Sequence, residues 1–316
     1  MEATTVSEGR SRLRPEYLLM LMTTFFWALG HPLGRILLKK VHPFQLGAVN
    51  LVAGFVALML YLVVVKRARE LFRLPARDLA ACLLLGVVGF FLYQILTFSA
   101  LARIPASMNA VLVSTNVVFI ALLGALVLKE RLYPLRVAGI VCALAGVVFI
   151  TFNRGFAIGA SVNLTGCAFS ILGALSFALY TVFGKRVLSK NDPLIVSALS
   201  LLSGAVLLSF VAWLGAGAKG FLPAELARAG GSTWLLMIFL GVTMIGVAYP
   251  VWFSCLKKLP ATHVSVYIYM TPVFAVILSL VIVRERFSWL FWLGGAFVLG
   301  GIVISTAAKD TSTRDA

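Results

Sequence analysis

The residues able to do chemistry in this chain are few, and their spacing decides what chemistry is open to them. His31, His42 and His263 are its three histidines, too scattered to make a metal site. "FGKRV" (183–187) has a Gly-Lys but none of the loop that cradles a nucleotide phosphate. All eleven acidic residues fall at the ends of apolar runs or between them, so no carboxylate sits where proton- and sodium-coupled carriers usually keep one. No hydrolase or kinase constellation is visible, and neither a metal nor a cofactor is expected. Hydrogen bonding remains. In "SMNAVLVSTNVVF" (107–119), Asn109 and Asn116 are seven residues apart and share a helix face. In "THVSVYIYMTPVF" (262–274), His263, Tyr267 and Thr271 recur every four residues. Amides, hydroxyls and rings in an apolar wall suit a neutral or zwitterionic solute of modest size. A strongly cationic one would meet no buried anion.

The elements that position these groups follow from composition. Of 316 residues 61% are hydrophobic and only 12% charged, against about 25% charged in an ordinary soluble domain. This is the composition of an all-α polytopic membrane protein. The net charge of +16 does not indicate nucleic acid, because Lys and Arg lie between the apolar runs and form no basic face. Cys82, Cys142, Cys167 and Cys255 lie inside apolar runs without C-x-x-C spacing and read as packing residues. The first apolar run is too long for a signal peptide and stays as a membrane helix. Runs of about 20 apolar residues, enough to cross a bilayer, predict ten spans at 17–38, 44–65, 79–101, 106–128, 133–152, 163–187, 194–214, 233–256, 261–283 and 287–306.

The chain also repeats itself. "LGVVGFFLYQILTFSALARIPAS" (85–107) aligns without a gap on "LGVTMIGVAYPVWFSCLKKLPAT" (240–262). The same register pairs Lys129-Glu130-Arg131 with Arg284-Glu285-Arg286, Gly139 with Gly294, and Gly146 with Gly301. A slightly shorter offset earlier in the chain pairs Gly34 with Gly184, Pro43 with Pro193, and Gly54 with Gly204. Five helices per repeat is an odd number, so the second half must cross the membrane in the opposite sense. Two inverted five-helix repeats are the architecture of secondary transporters, with a substrate site between the halves near the midplane. The divisions expected are a tail 1–16, a first repeat 17–152, a linker 153–162, a second repeat 163–306 and a tail 307–316. About two thirds of the 27 Lys and Arg residues fall on one side, which predicts both termini in the cytoplasm.

The repeat narrows the candidate site. Asn116 and its mate Thr271 both lie near mid-bilayer, and Gln94 pairs with Tyr249. The expected cavity lining is Tyr93, Gln94, Asn116, Tyr249, Trp252, Tyr267 and Thr271. For Asn109 interhelical bonding is the better reading, Tyr269 is read as packing, and Trp234, Trp289 and Trp292 as interface anchors. The glycines at 139, 146, 294 and 301 let backbones approach, within one subunit or at a dimer contact. Glu130 and Glu285 are read as gates that exchange basic partners at opposite faces, against the alternative of solvated helix ends. In "FFWALGHPLGRILLKK" (25–40), Gly30-His31-Pro32 reads as a hinge, or as a fixed kink with His31 bonded to a backbone carbonyl. Pro250 and Pro272 occur in one half only and are read as further hinges, unlike Pro43, Pro105, Pro193 and Pro260 at helix starts.

Trp27, Gly30, Arg35 and Pro43 carry a family likeness, as do "LKERLYPLRVAGIVCALAGVVFI" (128–150) and its copy "VRERFSWLFWLGGAFVLGGIVI" (283–304). The chain resembles EamA-type members of the drug/metabolite transporter superfamily, and among their branches the bacterial aromatic amino-acid exporters (YddG-type). The family usually carries an arginine early in its second helix, where this chain has Asn50. The resemblance implies an inner-membrane exporter working by alternating access. With the residues above, it favours facilitated, uncoupled export of amino acids, aromatic ones first. Drug, purine or other metabolite export, or proton coupling through histidine, is the alternative; a membrane enzyme or a non-transporting scaffold is weaker.

Overall fold

A computed structural model describes residues 15–130, 133–151, 163–215, 224–284 and 288–307. Among them run ten helical rods: α1 (Pro15–Leu37), α2 (Pro43–Val64), α3 (Ala76–Leu101), α4 (Ala106–Val127), α5 (Pro134–Thr151), α6 (Leu164–Leu188), α7 (Pro193–Gly215), α8 (Gly231–Lys258), α9 (Ala261–Val266, continuing through Tyr267–Tyr269 into Met270–Ile282) and α10 (Trp289–Ala307). A 3-10 turn, Ala68–Phe72, and a short helix, Ala224–Arg228, lie in the connections. Six rods, α2, α3, α4, α6, α7 and α8, are long and apolar enough by themselves to cross a membrane, and α5, α9 and α10 carry shorter apolar stretches. Local signals set the ends. His42 caps α2, its ring accepting from the Phe44 N–H, while Gln45 reaches back to the His42 N–H. After α4, Lys129 takes a left-handed backbone (φ 57°), and the Glu130 N–H bonds to the Gly124 carbonyl, closing the helix. Its repeat mate Arg284 does the same after α9, with φ 56°. Lys129 and Arg284 therefore end their helices, each a cation where glycine would be unstrained.

The halves interlock. α2 packs on α8 and α7 on α3, while α1 packs on α9 and α6 on α4, so each contact has an inverted counterpart. The close approaches obey the same exchange. A Cβ on Gly86 would stand 2.0 Å from the Ser200 carbonyl oxygen, and one on its mate Gly241 2.6 Å from that of Asn50, itself the mate of Ser200. α5 and α10 pack against each other, where a Cβ on Gly146 or Gly301 would come within 2.5 Å of the carbonyl oxygen of Gly294 or Gly139. These glycines therefore bring backbones together within one chain.

Four rods are not continuous α-helices, and the interruptions also come in pairs. α3 has a π-helical stretch at Val87–Leu92 and α8 one at Gly241–Val247. Pro250 follows the second, but Ile95 stands at its place in α3, so proline is not the cause. α4 breaks at Ser114-Thr115, between Ala106–Val113 and Asn116–Val127, and α9 breaks at the equivalent turn, Tyr267–Tyr269. Pro272 lacks the N–H that would bond back to Ile268 and so suits the turn in α9. In α4 two hydroxyls turn back on the backbone instead, Ser114 Oγ to the Val111 carbonyl at 2.6 Å and Thr115 Oγ1 to that of Leu112 at 2.7 Å. α1, by contrast, runs through Pro32 as one helix from Pro15 to Leu37.

Candidate functional site

The odd-numbered rods begin on the face where α1 begins, the N-face, and the even-numbered rods end there. Between the halves lies a narrow cavity of about 40 Å³. α3 contributes Tyr93, Gln94 and Thr97; α4 contributes Asn109, Val113 and Asn116; α8 and α9 contribute Met244, Tyr249 and Thr271. Trp27, Gly30 and His31 of α1 and Phe177 of α6 add to the lining. By their positions along the rods these residues occupy the middle and the half nearer the face opposite the N-face.

Of the seven residues expected from sequence, Tyr93, Gln94, Asn116, Tyr249 and Thr271 thus come together on one surface. Trp252 stands one layer behind, fully buried, its ring centroid 5.2 Å from that of Trp27. Tyr267 lies toward the N-face, stacked on Tyr17 at 5.8 Å. The period-four argument that joined Tyr267 to Thr271 assumed a regular α-helix. The tighter 3-10 turn between them rotates the one away from the other. Tyr269 is buried packing. Gly30 lies against the flexible end of the Met244 side chain, which would have to shift to admit a Cβ. His31 is bonded not to a carbonyl but to an amide: Asn109 Nδ2 lies 3.3 Å from His31 Nδ1, and Ser170 Oγ donates to Asn109 Oδ1 at 2.7 Å. Asn109 thus joins α1, α4 and α6 while also lining the cavity.

The polar groups are supplied without being used up. Asn116 Oδ1 and Thr271 Oγ1 are buried with no hydrogen-bond partner among the described residues, a state that costs about 1–3 kcal/mol apiece. Repeat mates, one in each half, therefore face the same space with an acceptor to spare.

Toward the N-face the cavity ends on aromatic rings. Trp27 meets Phe177 edge-on at 5.5 Å and Tyr249 at 5.3 Å; Tyr180 stacks on Phe253 at 4.7 Å, and Phe90 meets Tyr249 at 4.6 Å. The Trp27 N–H donates to the Met244 carbonyl, which holds the indole in place. Beyond the rings, the N-face is bonded from half to half. Glu130 accepts the Ala261 N–H at 3.1 Å, and Arg186 donates to the Val127 carbonyl at 2.5 Å. Lys258 pairs with Glu16 at 2.9 Å, Arg67 with Asp192 at 3.2 Å, and Asn191 donates to Asp78. Glu130 in this state caps a helix of the other half. Glu285 lies outside the described residues. Near the opposite face the bonds between halves are Lys40 to Thr233 at 3.5 Å and the His42 N–H to Glu225 at 2.9 Å.

A family profile described as the EamA-like transporter family matches residues 14–152 and again 164–307. The chain belongs to that family. Relatives agree over most of their lengths. An uncharacterized transporter of Archaeoglobus fulgidus is 27% identical over 93% of this chain and 98% of its own. The uncharacterized transporter YdfC of Bacillus subtilis is 28% identical over 87% and 86%. A probable terminal-alkyne amino-acid exporter of Streptantibioticus cattleyicolor is 27% identical over 90% and 91%. A solved crystal structure with 24% identity superposes with a TM-score of 0.73 over 93% of this chain and 98% of that one, and shares its fold. This EamA-like protein is a multi-pass membrane transporter for small molecules, not an enzyme. Sequence reasoning missed Trp27, His31 and Phe177 as cavity residues. The likeness of Trp27 and Gly30 to the family motif was the available signal.

Proposed function

We propose that this EamA-like protein exports amino acids, aromatic ones foremost, by facilitated alternating access through the cavity between its halves. The observation that carries the reading is the lining itself. Rings from Trp27, Tyr93, Tyr249 and Phe177 surround amide and hydroxyl groups, two of them with unused acceptors, and among the described lining residues there is no Asp, Glu, Lys or Arg. Such a surface suits an aromatic body with a zwitterionic head and repels a solute of large net charge. The named amino-acid exporter among the relatives supports the substrate class. The absence of a lining carboxylate favours movement down the gradient. With both termini in the cytoplasm of a bacterial-type inner membrane, the N-face is internal and the state described is closed to the cytoplasm.

The test is flux of radiolabelled tryptophan into proteoliposomes, with and without an imposed pH gradient. Flux that equilibrates and ignores the gradient is expected. Accumulation driven by the gradient would replace uncoupled transport by the second reading, proton coupling. That reading is favoured by His31, which lines the cavity. Absence of flux would reject the aromatic amino-acid assignment and direct the search to neutral metabolites and drugs.

A further inference from the structure

A zwitterion brings a carboxylate, and among the described lining residues no cation meets it. Neutral donors must do so: the amides of Gln94 and Asn116, the hydroxyls of Tyr93, Thr97, Tyr249 and Thr271, and on α1 the rings of Trp27 and His31. The Trp27 N–H is already given to the Met244 carbonyl. Asn109 is held at both ends: the 2.7 Å separation from Ser170 Oγ is an O–H···O length, which assigns Oδ1 to the serine and turns Nδ2 toward His31. Nδ1 of His31 then accepts, so the ring's proton belongs on Nε2. His31 makes no other hydrogen bond among the described residues, and Nε2 is not among the enclosed unpartnered atoms, although the residue is only 7% exposed. His31 is among the residues that line the cavity.

We propose that His31 Nε2–H is the donor that receives the substrate's carboxylate, and that Asn109 and Ser170 are positioning residues that hold the imidazole in the required tautomer. The proposal rests on the amino-acid reading above and assigns the head-group end of that site. The donor of His31 lies on α1, whereas the unused acceptors of Asn116 and Thr271 lie on α4 and α9. The group on α1 gives a hydrogen bond to an anion, and those on α4 and α9 take hydrogen bonds from an ammonium. That division orients a zwitterion without a formal charge on the protein. It also gives the polar group interrupting the apolar run of α1 a use in binding.

The experiment is competition binding in detergent with two probes, tryptophan and tryptamine, which differ by the carboxylate. A hydrogen bond to a charged group predicts that His31→Leu weakens tryptophan binding at least about tenfold while tryptamine changes by less than about threefold. His31→Gln, which keeps a neutral N–H donor, should recover most of the tryptophan affinity. Asn109→Leu, which frees the tautomer, should give an intermediate loss for tryptophan alone. Equal losses for both probes in His31→Leu, with no recovery in His31→Gln, would overturn the proposal and make the imidazole a packing residue. Parental protein that binds neither probe would instead reject the aromatic amino-acid reading on which the proposal rests.

Discussion

α4 and α9 are the same element placed twice, once in each orientation, and they break at the same turn by different means. In α9 the break lies beside Pro272, which cannot supply the backbone N–H of a regular helix. In α4 the equivalent residue is Val117, and the interruption is held by the hydroxyls of Ser114 and Thr115 bonding back to Val111 and Leu112. Just beyond each break stands a cavity residue, Asn116 in one half and Thr271 in the other, each with an unused acceptor. The break itself is common to both halves, and the residues that make it are not. In lipid an interrupted helix is tolerated where the freed backbone groups face protein or a polar cavity, and that is where both interruptions lie.

The largest effects should come from the close approaches shared by the halves. Gly86→Val drives a side chain into the Ser200 carbonyl, and Gly241→Val drives one into that of Asn50. Each should cost more than about 3 kcal/mol, because backbone cannot step aside. Thermal unfolding and the yield of monodisperse protein in detergent are the readouts. A tolerated valine in one half alone would break the symmetry of packing. Next come the paired cavity residues. Asn116→Ala should lower flux at least about tenfold and Thr271→Val by about threefold, since an amide offers more hydrogen-bonding sites than a hydroxyl. Neither should lower the melting temperature, because each removes an acceptor that is buried and unpaired. A fall in stability with unchanged flux would make the pair interhelical bonding groups.

Smaller effects belong to the breaks. Pro272→Ala, and Ser114→Ala combined with Thr115→Val, should each slow flux by about two- to fivefold while substrate binding holds, as expected where a bending step contributes to turnover. An effect in one half only would leave the other break as scaffold. The smallest effect concerns the surface ion pairs of the N-face. The Arg67 guanidinium beside Glu70 holds that carboxyl below the usual carboxylate range. A lowered carboxylate stabilises the fold above its unfolded value and loses that contribution as pH falls through the folded one. Arg67→Met should therefore lower the melting temperature slightly at neutral pH, and the gap to parental protein should close below about pH 4.

Apolar run length and aligned glycines made the ten rods and the inverted repeat legible, since both follow from what lipid demands of a backbone. Prolines were legible too, but they mark only one of each pair of interruptions. Ser114-Thr115 passed unnoticed because hydroxyls in a membrane helix ordinarily bond backward without breaking it. Depth along a helix placed Asn116 and Thr271, whereas the period-four rule misplaced Tyr267 once a 3-10 turn intervened. Asn50, where the family usually has arginine, is fully buried with both amide atoms unpartnered among the described residues. Its mate Ser200 bonds to the Cys82 carbonyl at 2.9 Å. No rule of spacing distinguishes those two outcomes, because the partner is supplied by the helix opposite.

The central claim is that both halves enclose one solute cavity, closed toward the N-face. Val113 lines that cavity, while Cys82, Cys167 and Cys255 are buried and Cys142 is partly exposed. The direct measurement is therefore labelling of Val113→Cys, in a Cys142→Ala background, by a membrane-impermeant maleimide added to one side of vesicles of known orientation. Faster labelling from the face opposite the N-terminus, suppressed by saturating tryptophan, is the predicted result. Labelling from the N-face alone, or labelling that saturating solute leaves unchanged, would contradict the account.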